Sequence, residues 1–197
     1  MFGEEYTREA AEGFVSLLKQ SRLYSTGGTS VKEYWPRPHD LGSSLGHETE
    51  ESCTTHNLLK LTSHLFKWAP TDSFVTEWHE SLIINGILST ISGPGELLYT
   101  LPLGEAVSKA WSGHGWGKPD QSFWCCYGSL VERFAKLNDG IFWRDMEAVH
   151  DSTTLTEDAI PVIYINSIVS STAKWEQEGI EVLVDGHMLK KCPRDSE

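Results

Sequence analysis

The sequence predicts a mainly α-helical fold with a β-rich C-terminal part. Three observations predict it. Apolar residues recur at helical spacing in four stretches before residue 138. Gly- or Pro-containing breaks close the first three of these. Beyond residue 138 the apolar residues gather instead into short β-like runs separated by polar segments.

The elements follow in order. Residues 4–20 form the first helix, with Tyr6, Ala10, Phe14 and Leu17 on one stripe and Glu4 and Glu5 at the favourable N-terminal end. Thr26-Gly27-Gly28-Thr29-Ser30 breaks it, and a Pro/Gly/Ser-rich loop runs to about Ser44. From Thr54, the stripe Leu58, Leu61, Leu65 and Trp68 marks a second helix, stopped by Ala69-Pro70. A third opens at Thr71-Asp72 and runs to Ile91, before Gly93-Pro94-Gly95. It is apolar almost all round its second half, which predicts deep burial. Residues 97–102 read as a short strand and 126–137 as a fourth helix, with Leu130, Phe134 and Leu137 inward. Residues 141–143, 162–165 and 181–184 are the β-like runs. The expected division is therefore 1–138 and 139–197.

Length and composition narrow the class. A chain of 197 residues with 39% hydrophobic residues and eight Trp has enough apolar surface for a real core. Net charge is −12, and only Lys190-Lys191 are adjacent basic residues, a poor match to a polyphosphate, so no nucleic-acid partner is expected. No apolar run approaches the ~20 residues that span a bilayer, so no membrane span is expected. The N-terminus lacks the charged-then-apolar layout of a signal peptide and, taken alone, reads as that of a soluble cytosolic protein.

Four cysteines are too few for a disulfide scaffold, which shifts weight to metal or catalytic use. Cys125 and Cys126 are neighbours and cannot form an ordinary disulfide with each other without distorting the peptide bond between them. Cys53 stands two residues after Glu51. One carboxylate oxygen and three thiolates would complete a tetrahedral site, with a softness suited to Zn²⁺. The usual Cys-x₂-Cys knuckle is missing, however, and free cysteines are often small buried hydrophobes. Residue types alone leave both readings open and favour the second. If the first holds, the four side chains converge on one point.

Several linked segments change that balance. Thr26-Gly27-Gly28-Thr29-Ser30, Glu33-Tyr34-Trp35, residues 49–55, residues 99–103, His114-Gly115-Trp116-Gly117 and residues 122–128 occur in the order found in glycoside hydrolase family 127. Over roughly residues 5–180 the chain resembles this family of β-L-arabinofuranosidases, its plant-type branch above all, with an insertion-like stretch near 144–159. The resemblance implies the second half of an (α/α)6 barrel followed by the first strands of a β-sandwich domain. It implies a retaining, zinc-dependent hydrolase acting on an L-arabinofuranosyl-containing glycan or glycoconjugate. Cys125 takes the role of nucleophile and Glu33 that of acid/base, while Glu51, Cys53, Cys125 and Cys126 hold the metal. Glu80 and Tyr99 fall at sugar-contacting positions.

Some positions have plainer expectations. Lys32 stands where the family usually has Gly and would crowd or charge the site. Tyr34 and Trp35 are placed to desolvate Glu33 and to offer the sugar an apolar surface. Glu48, Glu50 and Glu51, taken as a run, read as a solvated face, and His56, His64 and His79 as surface or core histidines. Cys192 has no role.

The resemblance also implies a chain much shorter than its relatives, which look secretory. The apolar faces of helices 54–68 and 71–91 would then lack partners, and the isolated chain would be weakly active or inactive. The competing expectations are a non-catalytic zinc-stabilised or carbohydrate-binding remnant and, last, redox use of the cysteine pair.

Overall fold

The computed structural model describes residues 4–118, 120–145, 162–165, 181–184 and 187–191. Helices dominate the first 135 residues: α1 (Glu4–Ser21), α2 (Ser52–Trp68), α3 (Ser73–Ser81) and α4 (Cys125–Ala135). Two short strands, β1 (Leu97–Leu98) and β2 (Trp116–Gly117), pair antiparallel between α3 and α4 in the chain. A second sheet has the order β3 (Phe142–Asp145), β4 (Val162–Ile165), β5 (Glu181–Val184), β6 (His187–Lys191), with β4 and β5 parallel and the outer pairs antiparallel. Strand β6 had no counterpart in the sequence reading. Residues 146–159 of the insertion-like stretch and Cys192 lie outside the described residues. Among the described residues no helix is long and apolar enough to cross a membrane.

One core joins the helices. Leu58, Leu59, Leu65 and Phe66 of α2 pack with Val75 and Trp78 of α3, Leu130 of α4, and Val15 and Leu18 of α1. The apolar faces of α2 and α3 therefore find partners in each other, contrary to expectation. The stripe on α1 is also rotated from the predicted one: Val15 and Leu18 are buried, while Tyr6 and Leu17 are exposed. Only the C-terminal half of α1 reaches the core, so the contact arc is set by its last two turns. The second sheet joins through Trp143 and Tyr164, whose rings meet Phe66 at 5.5 Å and 5.6 Å.

Two regions depart from regular structure in ways that shape the site. The predicted third helix is α3 followed without a gap by a π-helical turn, Leu82–Ile87, and a 3₁₀ turn, Leu88–Thr90. The turn buries Leu82, Ile83 and Ile87 as expected but leaves Ile84 exposed. It also brings the backbone of Gly86 against α2, where a Cβ would lie 2.7 Å from Thr55 Cγ2. The predicted strand 97–102 changes partner half-way. Leu97 and Leu98 pair with β2, whereas Thr100 and Leu103 bridge to Glu51 and Gly46. That second pairing lays the segment carrying Tyr99 along the segment that enters α2.

Candidate active site

The N-termini of α2 and α4 meet. Glu51 is the N-cap residue of α2 and Cys53 lies in its first turn, while Cys125 and Cys126 open α4 behind the N-cap residue Trp124. Neither N-cap residue caps its own helix with its side chain. Glu51 instead turns toward the cysteines: its Oε1 accepts from Cys126 Sγ at 3.3 Å, and its Oε2 accepts from Thr54 Oγ1 at 2.8 Å. Ser129 Oγ holds Cys53 Sγ at 3.2 Å. Both hydroxyls sit on the same two helices and fix the orientation of the group they touch.

One donor atom from each of Glu51, Cys53, Cys125 and Cys126 lies within 4.8 Å of every other. Donors around a tetrahedral zinc stand about 3.8 Å apart, from the usual bond lengths, so a small contraction would close the set. Two helix N-termini direct their positive dipole ends at the same place, which favours anionic sulfur and carboxylate. The donor set and this field suit a soft divalent cation such as zinc, held by Glu51, Cys53, Cys125 and Cys126. The thiols are unequal. Cys126 is fully buried, and its side chain beside Cys53 is the largest influence lowering the Cys53 thiol to about 7. The same interaction, with burial second, pushes Cys126 well up.

Beside this cluster, Tyr99 O–H donates a short hydrogen bond to Glu33 Oε1 and lies 3.6 Å from Cys125 Sγ. Burial first and the Glu33 bond second raise the phenol's pKa, so it stays a donor. Its ring packs on His114 at 4.3 Å, and His114 on Trp124 at 5.0 Å. Lys32, Glu33, Glu48, Tyr99, Thr100, Gly113 and His114 enclose a recess of about 100 Å³. Lys32 and Glu33 both have left-handed backbones, with φ of 48° and 67°, where L side chains are strained by roughly 1 kcal/mol. That explains why Gly is the easier residue at position 32. The Lys32 side chain stays exposed and reaches Glu48 at 3.6 Å.

The remaining expectations are met in part. Tyr34 is 76% exposed and Trp35 turns onto Phe14 of α1, ring centroids 5.6 Å apart, so neither buries Glu33, itself exposed. Glu80 is half-buried on α3 and is absent from the recess lining, because the inward face of that helix is Val75, Trp78 and His79. His64 is exposed, and His56 and His79 are core residues. Two features escaped the sequence reading. His114 belongs to the motif His114-Gly115-Trp116-Gly117, in which nothing local to the sequence marks it as a partner of Tyr99. Glu50 is not part of a solvated face: it is 1% exposed, and burial raises its carboxyl to about 7.

Residues 1–139 match the family model described as beta-L-arabinofuranosidase, GH127 catalytic domain. The chain belongs to this family. Among solved structures, the GH127 chain resembles a GH127 beta-L-arabinofuranosidase from Geobacillus stearothermophilus T6, with a TM-score of 0.58 and 17% sequence identity. The match covers 83% of this chain but spans a quarter (25%) of that structure's length. At this identity the likeness speaks for a shared fold. No curated protein matches the GH127 chain.

Proposed function

We propose that this chain carries the reacting groups of a zinc-dependent retaining glycoside hydrolase acting on L-arabinofuranosyl groups. Cys125 is the nucleophile and Glu33 the acid/base. Its residues 1–138 are read as part of an (α/α)6 barrel and 139–197 as the start of a β-sandwich domain. Family membership supports the reaction class. The observation that carries the mechanism is Tyr99, whose single hydroxyl touches both Glu33 and Cys125. Two groups bridged by one phenol oxygen stand close together, which supports reading them as a retaining pair.

A zinc ion, when bound, would be held by Glu51, Cys53, Cys125 and Cys126 and would supply positive charge that favours the thiolate form of its sulfur ligands. In the first step Cys125 Sγ attacks the anomeric carbon as the bond to the leaving oxygen breaks. The proton held by Glu33 passes to that oxygen. Tyr99 occupies Glu33 Oε1, leaving the second carboxyl oxygen to carry the transferable proton. In the second step Glu33 takes a proton from water, whose oxygen displaces sulfur at the same carbon. The electron pair of the broken C–S bond returns to Cys125. Two successive inversions at one carbon, the first from the Cys125 face and the second from the opposite face where Glu33 stands, restore the original anomeric configuration.

Hydrolysis of an aryl β-L-arabinofuranoside tests the reading. Cys125→Ser and Glu33→Gln should each lower kcat by at least ~10²-fold, and metal analysis of the purified protein at neutral pH should find bound zinc. Zinc-free protein, or a Cys125→Ser variant with full turnover, would sink it. A second reading, a zinc-stabilised carbohydrate-binding remnant, draws on the recess beside Glu33. Its volume of about 100 Å³ is below the ~300–1,000 Å³ of ordinary ligand sites. That reading predicts zinc and sugar-dependent thermal stabilisation with no turnover.

A further inference from the structure

The structure assigns to the buried side chain of Glu50 a positioning role: it locks together the segments that carry Glu33, the cysteine–glutamate cluster and Tyr99. The inference rests on the proposed function for its meaning, though not for its geometry.

The Glu50 side chain is enclosed by the chain around it. Thr26 Oγ1 donates a short hydrogen bond to its Oε2. Its Oε1 has no hydrogen-bond partner among the described residues and lies against two glycines. A Cβ on Gly28 would stand 2.2 Å from the Glu50 carboxyl carbon, and one on Gly86 would stand 3.1 Å from Oε1. The Thr26-Gly27-Gly28 turn and the π-helical turn therefore form a cradle that the Glu50 carboxyl fills, with Thr55 beside it at Gly86. The Glu50 backbone is left-handed, φ 51°. That is an unfavourable conformation for a residue with a Cβ, sustained when the surroundings over-determine it.

The backbone around Glu50 makes the lock three-sided. Glu50 N–H donates to Ser30 O at 2.9 Å and Glu51 N–H to Ser30 Oγ at 3.1 Å, tying down the loop that carries Glu33. Leu101 N–H donates to Glu50 O at 3.1 Å and Ser52 N–H to Tyr99 O at 2.9 Å, tying down the segment that carries Tyr99. Glu51 itself is the next residue in the chain. Emptying the cradle frees the Gly-Gly turn and the left-handed hinge together. Glu33, Tyr99 and Glu51 then lose their fixed spacing although none has been altered.

Two measurements on the same variants test this. In the first, Co²⁺ is titrated into the apo chain and followed by its thiolate charge-transfer absorption. Glu50→Ala should bind roughly 10- to 100-fold more weakly, the range for removing a group that orients a ligand. Glu50→Gln, which fills the same space and keeps an acceptor for Thr26, should recover most of that affinity. Val75→Ala, a core truncation on α3, serves as the stability control and should leave the spectrum unchanged. Equal weakening in Val75→Ala, or unchanged binding in Glu50→Ala, would overturn the role.

Amide hydrogen exchange supplies the second measurement and needs no metal, so a chain that fails to bind Co²⁺ refutes the metal reading and leaves this one testable. Glu50→Ala should speed exchange at Glu50, Glu51, Ser52 and Leu101 about tenfold over the helical core, and Glu50→Gln should reverse it. Uniform acceleration across the core, or no change at these amides, would refute the positioning role.

Discussion

In the proposed mechanism Tyr99 stands between the two groups that act in sequence on one carbon, and its hydroxyl, which touches both, can be removed without disturbing the ring's packing. The ring is held by His114 at 4.3 Å and Tyr127 at 6.1 Å, contacts that Phe keeps. Tyr99→Phe should therefore leave the melting temperature within a degree or two and lower kcat on the order of 10²-fold, as for loss of one preorganised donor. Unchanged turnover would mean that the phenol is only a packing group. His79 sets a different kind of dependence. It is 1% exposed, its Nδ1 meets Thr62 Oγ1 at 2.7 Å, and burial, then Arg133, pulls its pKa from 6.5 to about 4. The unfolded chain therefore binds the proton more tightly than the native one. Stability is fully present above about pH 6.5 and falls as pH drops toward 4, by up to about 3 kcal/mol from this group. Urea melts at pH 7 and pH 4.5 should show a smaller acid loss in His79→Leu than in the parent. An equal loss would show that His79 takes no part in the acid response.

At the level of elements, the helices were legible because their burial follows from period. Leu58, Leu65 and Leu130 sit where their stripes place them. What period cannot show is a change of helix type. The run from Val75 to Ile91 reads as one helix, yet the π turn at Leu82–Ile87 widens it and carries Gly86 to Thr55 and Glu50. Residues 97–102 read as one strand because alternation does not report a change of partner. The odd cysteine dipeptide with Glu51 and Cys53 suggests a cluster without deciding it, and the family resemblance of the linked segments is what makes the cluster legible. Glu50 was not legible, since its burial depends on Gly28 and Gly86, distant in sequence and informative only once the chain has folded. Two glycines make the contrast measurable. Gly128, inside α4, has open space where a Cβ would stand, so Gly128→Ala should stabilise by about 0.5–1 kcal/mol through helix propensity. Gly86→Ala must displace Thr55, 2.7 Å from the new Cβ, and crowd Glu50. It should destabilise by about 1–3 kcal/mol. Thermal melts giving the same sign for both would refute the close-packed π turn.

Across the whole molecule, the candidate metal centre is the point at which distant parts of the chain are tied. Cys126 and Glu51 are 75 positions apart, and the helices they open share one core with α3 and α1. The second sheet leans on that core from elsewhere, through Trp143 and Tyr164 against Phe66. Metal loss should therefore loosen the α2–α4 junction before it loosens the sheet contact. Without a cation, the four donor side chains of Glu51, Cys53, Cys125 and Cys126 still face one another, but nothing bridges the two helix ends that carry them. A ligand that binds only the folded state and is present at a thousandfold over its Kd adds about 4 kcal/mol. For a chain of this size that is roughly 10 °C in Tm. Adding a chelator to the metal-loaded protein should lower the melting temperature by about that amount. Cys53→Ser should start lower and respond little, because its site has already lost a donor. Exchange at the first-turn amides of α2 and α4 should rise on chelation while the amides of β3 and β4 stay protected. If chelation leaves the melting temperature unchanged, the four side chains meet without holding a metal, and the junction is carried by packing alone.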